Sequence, residues 1–257
     1  MPFRPIESEK LSDAVVRQIE ELILQGILRP GERLPAEREL AERLAVSRPS
    51  LRSAIASLQE KGLLSTKAGA GVFVADVLGS AFSPALMDLL ARHQDAVFDY
   101  LSFRRDMEAL AAERAVQLAS DTDLAVINAV LERMEIAHGK RNGEEEEARL
   151  DAQFHMAIIE ASHNVVMLHM MRSMYQLLRE GVFYNRQVMF KQRTTRSVLL
   201  DQHREINAGL QARDAGRARA AVEAHLNFVE TSLRNDAKAA ENEAIARQRL
   251  DHEREKG

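Results

Sequence analysis

The chain has 257 residues, enough for one small domain and a second of about 150 residues, and its net charge of −4 excludes DNA affinity from bulk charge. Any nucleic-acid partner must meet a local basic patch instead. The absence of cysteine excludes disulfides and thiolate metal sites; with no signal-peptide pattern and no apolar run long enough to cross a bilayer, a cytoplasmic protein without membrane contact is expected.

An amphipathic helix is predicted over Ser12 to Leu28, with Val15, Val16, Ile19, Leu22 and Ile23 facing inward and Arg29-Pro30-Gly31 ending it. Leu34 to Val74 then spells two helices, a turn and a hairpin. Leu40 and Leu44 mark the apolar face of the first helix, and Leu51, Ile55 and Leu58 that of the second. Ser47 is placed to cap the second, with Pro49 in its first turn. Arg48, Ser50 and Arg52 fall in its N-terminal half, where a recognition helix presents base-reading side chains; arginine grips guanine O6 and N7 in bidentate fashion. Lys61-Gly62 reads as the helix end. Leu63 to Thr66 and Gly71 to Val74 read as strands joined by Lys67-Ala68-Gly69-Ala70, a wing whose tip glycine lets the backbone approach a groove and whose Lys67 adds charge. From Arg33 to Lys67 there are seven Lys/Arg against four Asp/Glu, which supplies the local patch. The combination predicts a reader of double-stranded DNA. A helix-turn-helix used for protein contacts, its arginines merely solvated, is the alternative.

This reading domain spans 1–76, and Gly79-Ser80-Ala81-Phe82-Ser83-Pro84 marks a linker over 77–84. From 85 to 235 the period is helical and no strand alternation appears, so an all-α antiparallel helical bundle is expected and the fold class is mostly α. Its helices are predicted at 85–92, 95–119, 121–141, 145–162, 164–190, 195–213 and 215–235, with Asp121 and Asn164 as N-caps and Asp214-Ala215-Gly216 as a tight turn. Glu144 to Glu147 lie at a helix start, where the macrodipole favours acid, and read as a solvated face. The charged tail, 236–257, is either a helical extension or disordered.

Asp151 and His155, four apart on one helix, point the same way. His203 and His225 flank the Gly216 turn at heights differing by about 6 Å, so they can meet in the bundle core. Three neutral imidazoles and one carboxylate suit Zn²⁺, Ni²⁺ or Mn²⁺, although the same Asp-x-x-x-His spacing also serves a hydrogen-bonded core pair. A metal activating water would make a hydrolase, but the motif places no additional acid or base over an open position.

The run from Leu34 to Leu40, the Ser47-Arg48 turn and the glycine-bearing wing resemble the winged helix-turn-helix of the GntR family of bacterial transcription regulators. The resemblance implies that Arg38, Arg48, Arg52 and Gly69 contact operator DNA and Lys10 a phosphate; Ser53 and Ala68 depart from the family pattern. From Asp76 onward the chain is similar to the FCD effector domain of one GntR branch. That resemblance implies a divalent metal, Zn²⁺ first, on Asp151, His155, His203 and His225, with a small carboxylate effector beside it. It also implies Arg104 as the residue gripping that carboxylate, an intrahelical ion pair with Glu108 being the plainer reading. Residues 11–52 and 161–174 look closest to regulators responsive to pyruvate or lactate, with glycolate another acid of the same kind; His163 and His169 in the second segment are expected in core or surface roles. The whole implies a homodimeric repressor released from a palindromic operator by its effector, and not an enzyme. A regulator answering to the metal alone is the alternative.

Overall fold

The computed structural model describes residues 10–67, 69–75, 89–90, 93, 95–140, 143–179 and 193–255. The chain divides into two units between Ala81 and Phe82. Ala68, the predicted linker at 77–84, most of the predicted helix at 85–92 and the 180–190 end of another lie outside the described residues.

The first unit holds α1 (Leu11–Leu24), α2 (Glu37–Arg43), α3 (Arg48–Glu60), β1 (Leu64–Lys67) and β2 (Gly71–Val74). α1 stops four residues before its predicted end. The apolar period runs on through Ile27 and Leu28, but Gly26 adopts φ +74°, a left-handed conformation that closes the last turn. β1 and β2 pair antiparallel, Leu64 opposite Val74 and Lys67 opposite Gly71, and Arg33 bridges to Phe73. Leu51, Ala54 and Leu58 are fully buried on one face of α3 and pack with Val15, Val16, Ile19 and Ile23 of α1 and with Leu64 and Val74 of the hairpin. The core thereby fixes the angle at which the opposite face of α3 is presented.

The second unit holds α4 (Asp95–Leu118), α5 (Asp121–His138), α6 (Glu144–Ala161), α7 (Val165–Arg179), α8 (Arg193–Gln211) and α9 (Ala215–Glu255), for nine α-helices among the described residues. Asn164 caps α7 through the Met167 N–H, at 3.0 Å. The cap of α5 is Ser120, not Asp121: its hydroxyl accepts from the Asp123 N–H at 3.1 Å, and the Asp123 carboxylate accepts from the Ser120 N–H at 2.8 Å. This Ser-x-x-Asp box satisfies two orphan donors, and Asp121 is left to pair with Arg213.

The acidic start of α6 is not wholly a solvated face. Glu147 is buried and pairs with the buried Arg196 of α8, which also reaches Glu144 at 3.1 Å. α8 and α9 approach so closely that a Cβ on Gly209 would stand 2.7 Å from the Ala218 nitrogen. Beyond the bundle α9 continues to Glu255 with every residue from Arg234 to Arg254 exposed, supported by Arg234–Glu230 and Arg247–Glu243 pairs one turn apart and by its many alanines.

Candidate functional site

α6 presents Asp151 and His155 one turn apart, α8 presents His203 and α9 presents His225. All four are buried, and one donor atom from each lies within 4.8 Å of the others. His203 Nε2 is 3.0 Å from Asp151 Oδ1 and 3.3 Å from His155 Nε2, and His155 Nε2 is 3.7 Å from the same carboxylate oxygen. The His225 ring sits 4.6 Å from that of His203 and stacks at 5.1 Å on that of His155. The short turn at Asp214, whose side chain accepts from the Arg217 N–H at 3.0 Å, makes α8 and α9 antiparallel neighbours and brings these histidines together.

The outer nitrogens of two of the three imidazoles face a side-chain partner. His155 Nδ1 lies 2.7 Å from Glu108 Oε2, an ion-pair contact outside good hydrogen-bond geometry, and neither atom has a well-formed hydrogen bond. His225 Nδ1 is 3.0 Å from Gln202 Oε1. His203 Nδ1 is buried without a well-formed hydrogen bond, its weak partner being the Leu199 backbone one turn back. Burial pushes the His203 imidazole below its ordinary pKa; burial pushes His225 well below, helped by the neighbouring His203 and His155. Burial pulls His155 down too, but the Glu108 charge and the bonds to Asp151 and Glu108 outweigh it and hold this imidazole up. Two neutral rings and one ring oriented by a carboxylate, all turned on a second carboxylate, fit a divalent cation. The 3.0, 3.3 and 3.7 Å separations bracket the about 3.3 Å between donors in tetrahedral coordination at ordinary metal–ligand distances.

Arg104 stands on α4, 1% exposed, in the intrahelical pair: its Nε donates to Glu108 Oε1 at 2.7 Å and its Nη2 to the Tyr175 hydroxyl at 2.8 Å. Burial opposes the charge on Glu108, yet Arg104 and His155 hold its carboxyl well below the usual range. Sequence reasoning paired Glu108 with Arg104 but missed its second contact, to His155, and missed Tyr175 and Gln202. Only Gln202, adjacent to His203 in the chain, lay where spacing would have drawn notice. His163 pairs with Asp123 at 3.1 Å, away from the cluster.

In the first unit, Ser47 caps α3 by accepting from the Ser50 N–H at 3.2 Å, and the Ser50 hydroxyl is itself engaged by Ser47 at 2.8 Å. Arg48 and Arg52 project from the first turns of α3 with side chains 56% and 65% exposed. Both donate Nε to Glu37 Oε1, at 3.2 and 2.8 Å. Arg38 is more open, with Glu42 3.8 Å away. Lys67 lies over the Phe73 ring at 4.8 Å, and Gly69, at φ +70°, gives the tip its tight turn. Lys10 is exposed immediately before α1. A groove of about 390 Å³ between α3 and the hairpin is lined by Arg33, Glu37, Arg52, Gln59 and Thr66 among others.

Comparison with known proteins agrees with both halves. Residues 11–74 match the family described as bacterial regulatory proteins, gntR family, and residues 99–228 match the FCD domain. The "Putative L-lactate dehydrogenase operon regulatory protein" of Escherichia coli K12 is 35% identical across 96% of this chain and 97% of its own. The "Glc operon transcriptional activator" of the same strain is 30% identical over 88% and 90%. LutR, an HTH-type transcriptional regulator of Bacillus subtilis 168, is 30% identical over 82% and 96%. The solved structure of Streptococcus agalactiae GntR superposes with a TM-score of 0.51 at 23% identity, covering 86% of this chain and 99% of that one, a likeness of fold. These relatives are named as regulators, which sets the hydrolase reading aside. No helix among the described residues is long and apolar enough to cross a membrane. This chain belongs to the GntR family of bacterial transcription regulators, with a DNA-binding winged helix-turn-helix followed by an FCD domain.

Proposed function

We propose that this chain is a cytoplasmic, homodimeric repressor whose operator affinity is lowered by a small monocarboxylate bound in the FCD domain beside a divalent cation. Arg38, Arg48, Arg52, Lys67 and Gly69 contact the operator, with Ser50 holding the cap of the reading helix. Asp151, His155, His203 and His225 hold the cation, and Arg104 grips the carboxylate. The observation that carries this reading is the convergence of four buried donors on one point, with the far nitrogens of two imidazoles fixed by Glu108 and Gln202. Zn²⁺ fits this nitrogen-rich set first, with Ni²⁺ and Mn²⁺ as other fits. When bound, the cation supplies Lewis-acidic charge for an anionic ligand.

Charge favours a monocarboxylate. Arg104 and Glu108 cancel, Asp151 offsets half of a divalent cation, and the histidines, neutral once they hold that cation, add nothing; one positive charge is left, which a single carboxylate neutralises. The relative named for an L-lactate dehydrogenase operon puts lactate first among the acids to try. Two reading heads on a two-fold axis suit a palindromic operator, and Val126, Ile136, Val166 and Met170 leave apolar surface exposed on the bundle for a partner copy. A hundredfold preference of the effector for the non-binding arrangement, about 2.7 kcal/mol, suffices to empty most operators.

The test is His203→Ala, read by fluorescence anisotropy on operator DNA selected from random duplexes. Unchanged operator affinity with loss of the response to acid is the expected result; loss of DNA binding itself would count against separate roles for the two units. One observation favours a second reading, in which the metal alone is the signal: Arg104 is already engaged by Glu108 and Tyr175. It predicts operator affinity that follows metal concentration with no acid present.

A further inference from the structure

Glu108 is placed between two groups that the proposed function keeps separate. Its Oε1 accepts from Arg104 Nε and from the Tyr175 hydroxyl, each at 2.7 Å, while its Oε2 faces His155 Nδ1, also at 2.7 Å. Arg104 Nη2 donates to the same Tyr175 hydroxyl, closing a ring of contacts. Arg104, Glu108 and His155 are each at most 2% exposed and Tyr175 8%, so little water screens or replaces any of these bonds. The three helices involved differ: Arg104 and Glu108 stand on α4, His155 on α6 and Tyr175 on α7.

We propose that Glu108 is a positioning residue that couples the Arg104–Tyr175 pair to the ligand His155, so that a change at that pair is read as a change in metal affinity. The inference rests on the reading of Asp151, His155, His203 and His225 as a metal centre. The physical basis is that one carboxylate serves both sides. Donors on Oε1 draw charge from Oε2; removing one leaves more charge facing His155, which stiffens its orientation and makes its inner nitrogen a better donor to a cation. A movement of α7, or an anion arriving at Arg104, acts on the same carboxylate. By linkage the effect is reciprocal: whatever alters cation affinity through Glu108 has its own affinity altered by the cation to the same factor.

The experiment uses the full chain, stripped by chelator and titrated with Zn²⁺ in competition with a chromophoric chelator at neutral pH, in a cycle of Glu108→Gln and Tyr175→Phe. E108Q is expected to weaken Zn²⁺ binding about 10- to 100-fold. Y175F is expected to strengthen it about threefold in the otherwise native chain and to leave it unchanged in the E108Q background. Gln202→Ala, acting on His225, is the control and should combine additively with Y175F. Native Zn²⁺ affinity in E108Q, or the same Y175F effect in both backgrounds, overturns the coupling while leaving the metal centre intact. Zn²⁺ binding that is no tighter in the native chain than in H203A overturns the metal centre and the coupling together. Where circular dichroism shows E108Q unfolded, Glu108→Asp, which keeps the charge but shortens the reach, takes its place: a Y175F effect undiminished in that background overturns the coupling.

Discussion

Both units of this chain hold arginine against glutamate, and the two arrangements differ in burial. In the reading head, Glu37 takes one nitrogen from each of Arg48 and Arg52, with side chains 31%, 56% and 65% exposed. Water and salt screen such pairs, so either arginine can exchange the carboxylate for another acceptor at small cost, as the proposed operator contacts require. In the bundle, Glu108 and Arg104 are almost wholly buried, and removing either strands a charge in the interior. The exposed pairs suit a surface that exchanges partners with DNA; the buried one suits a site whose geometry must persist.

Glu108→Ala should break this contrast most strongly, costing about 3–5 kcal/mol of stability in denaturant unfolding, because the buried Arg104 loses the carboxylate that balances its charge. A loss below about 1 kcal/mol would place the buried pair in the same class as the surface ones. Arg52→Ala should leave stability within about 0.5 kcal/mol yet cost about 1–3 kcal/mol of specific operator binding, with scrambled DNA less affected in the same anisotropy assay.

An intermediate case sharpens the comparison. Asp123, its side chain 29% exposed, completes the Ser120 capping box of α5 and pairs with His163, so Asp123→Asn should cost about 1 kcal/mol. Partial burial works against the Asp123 charge, but the Ser120 hydroxyl and N–H and then His163 prevail and hold its carboxyl below the ordinary 3.8. A depressed carboxyl contributes its full stability above that ordinary value and loses it as pH falls through the depressed one; D123N should therefore flatten the acid limb of a stability–pH curve below about pH 4. The smallest expected effect belongs to Glu37→Gln. Its unfolding midpoint should not move, while anisotropy should show a lower ratio of specific to nonspecific binding, since the two arginines lose their common anchor.

The parts of the molecule that were legible in the sequence are those whose cause is local. The cap at Ser47, the apolar face of α3 and the glycine-bearing hairpin each follow from a few neighbouring residues, and the fold of the reading head with them. Asp151 and His155 are tied by one helical turn, and His203 and His225 by a single short connection, so even their meeting was within reach of counting. The contact of Glu108 with His155 was not: the residues are on different helices, and their approach depends on how α4 packs against α6. Glu147 misled for the same reason, since an acidic helix start is usually solvated and its buried partner Arg196 lies on α8. At α1 the apolar period overran Gly26, and at α5 Asp121 read as the cap although Ser120, one residue earlier, holds that place through its reciprocal bonds with Asp123.

The most direct test of a metal-centred, carboxylate-answering switch is thermal unfolding of Zn²⁺-loaded and chelator-stripped protein with L-lactate, pyruvate and glycolate. The expected result is that one of these acids, at about a hundred times its Kd, adds about 2.7 kcal/mol of stability to the loaded protein and none to the stripped protein. An equal gain in both forms, or no gain from any of the acids with Zn²⁺ bound, would contradict it.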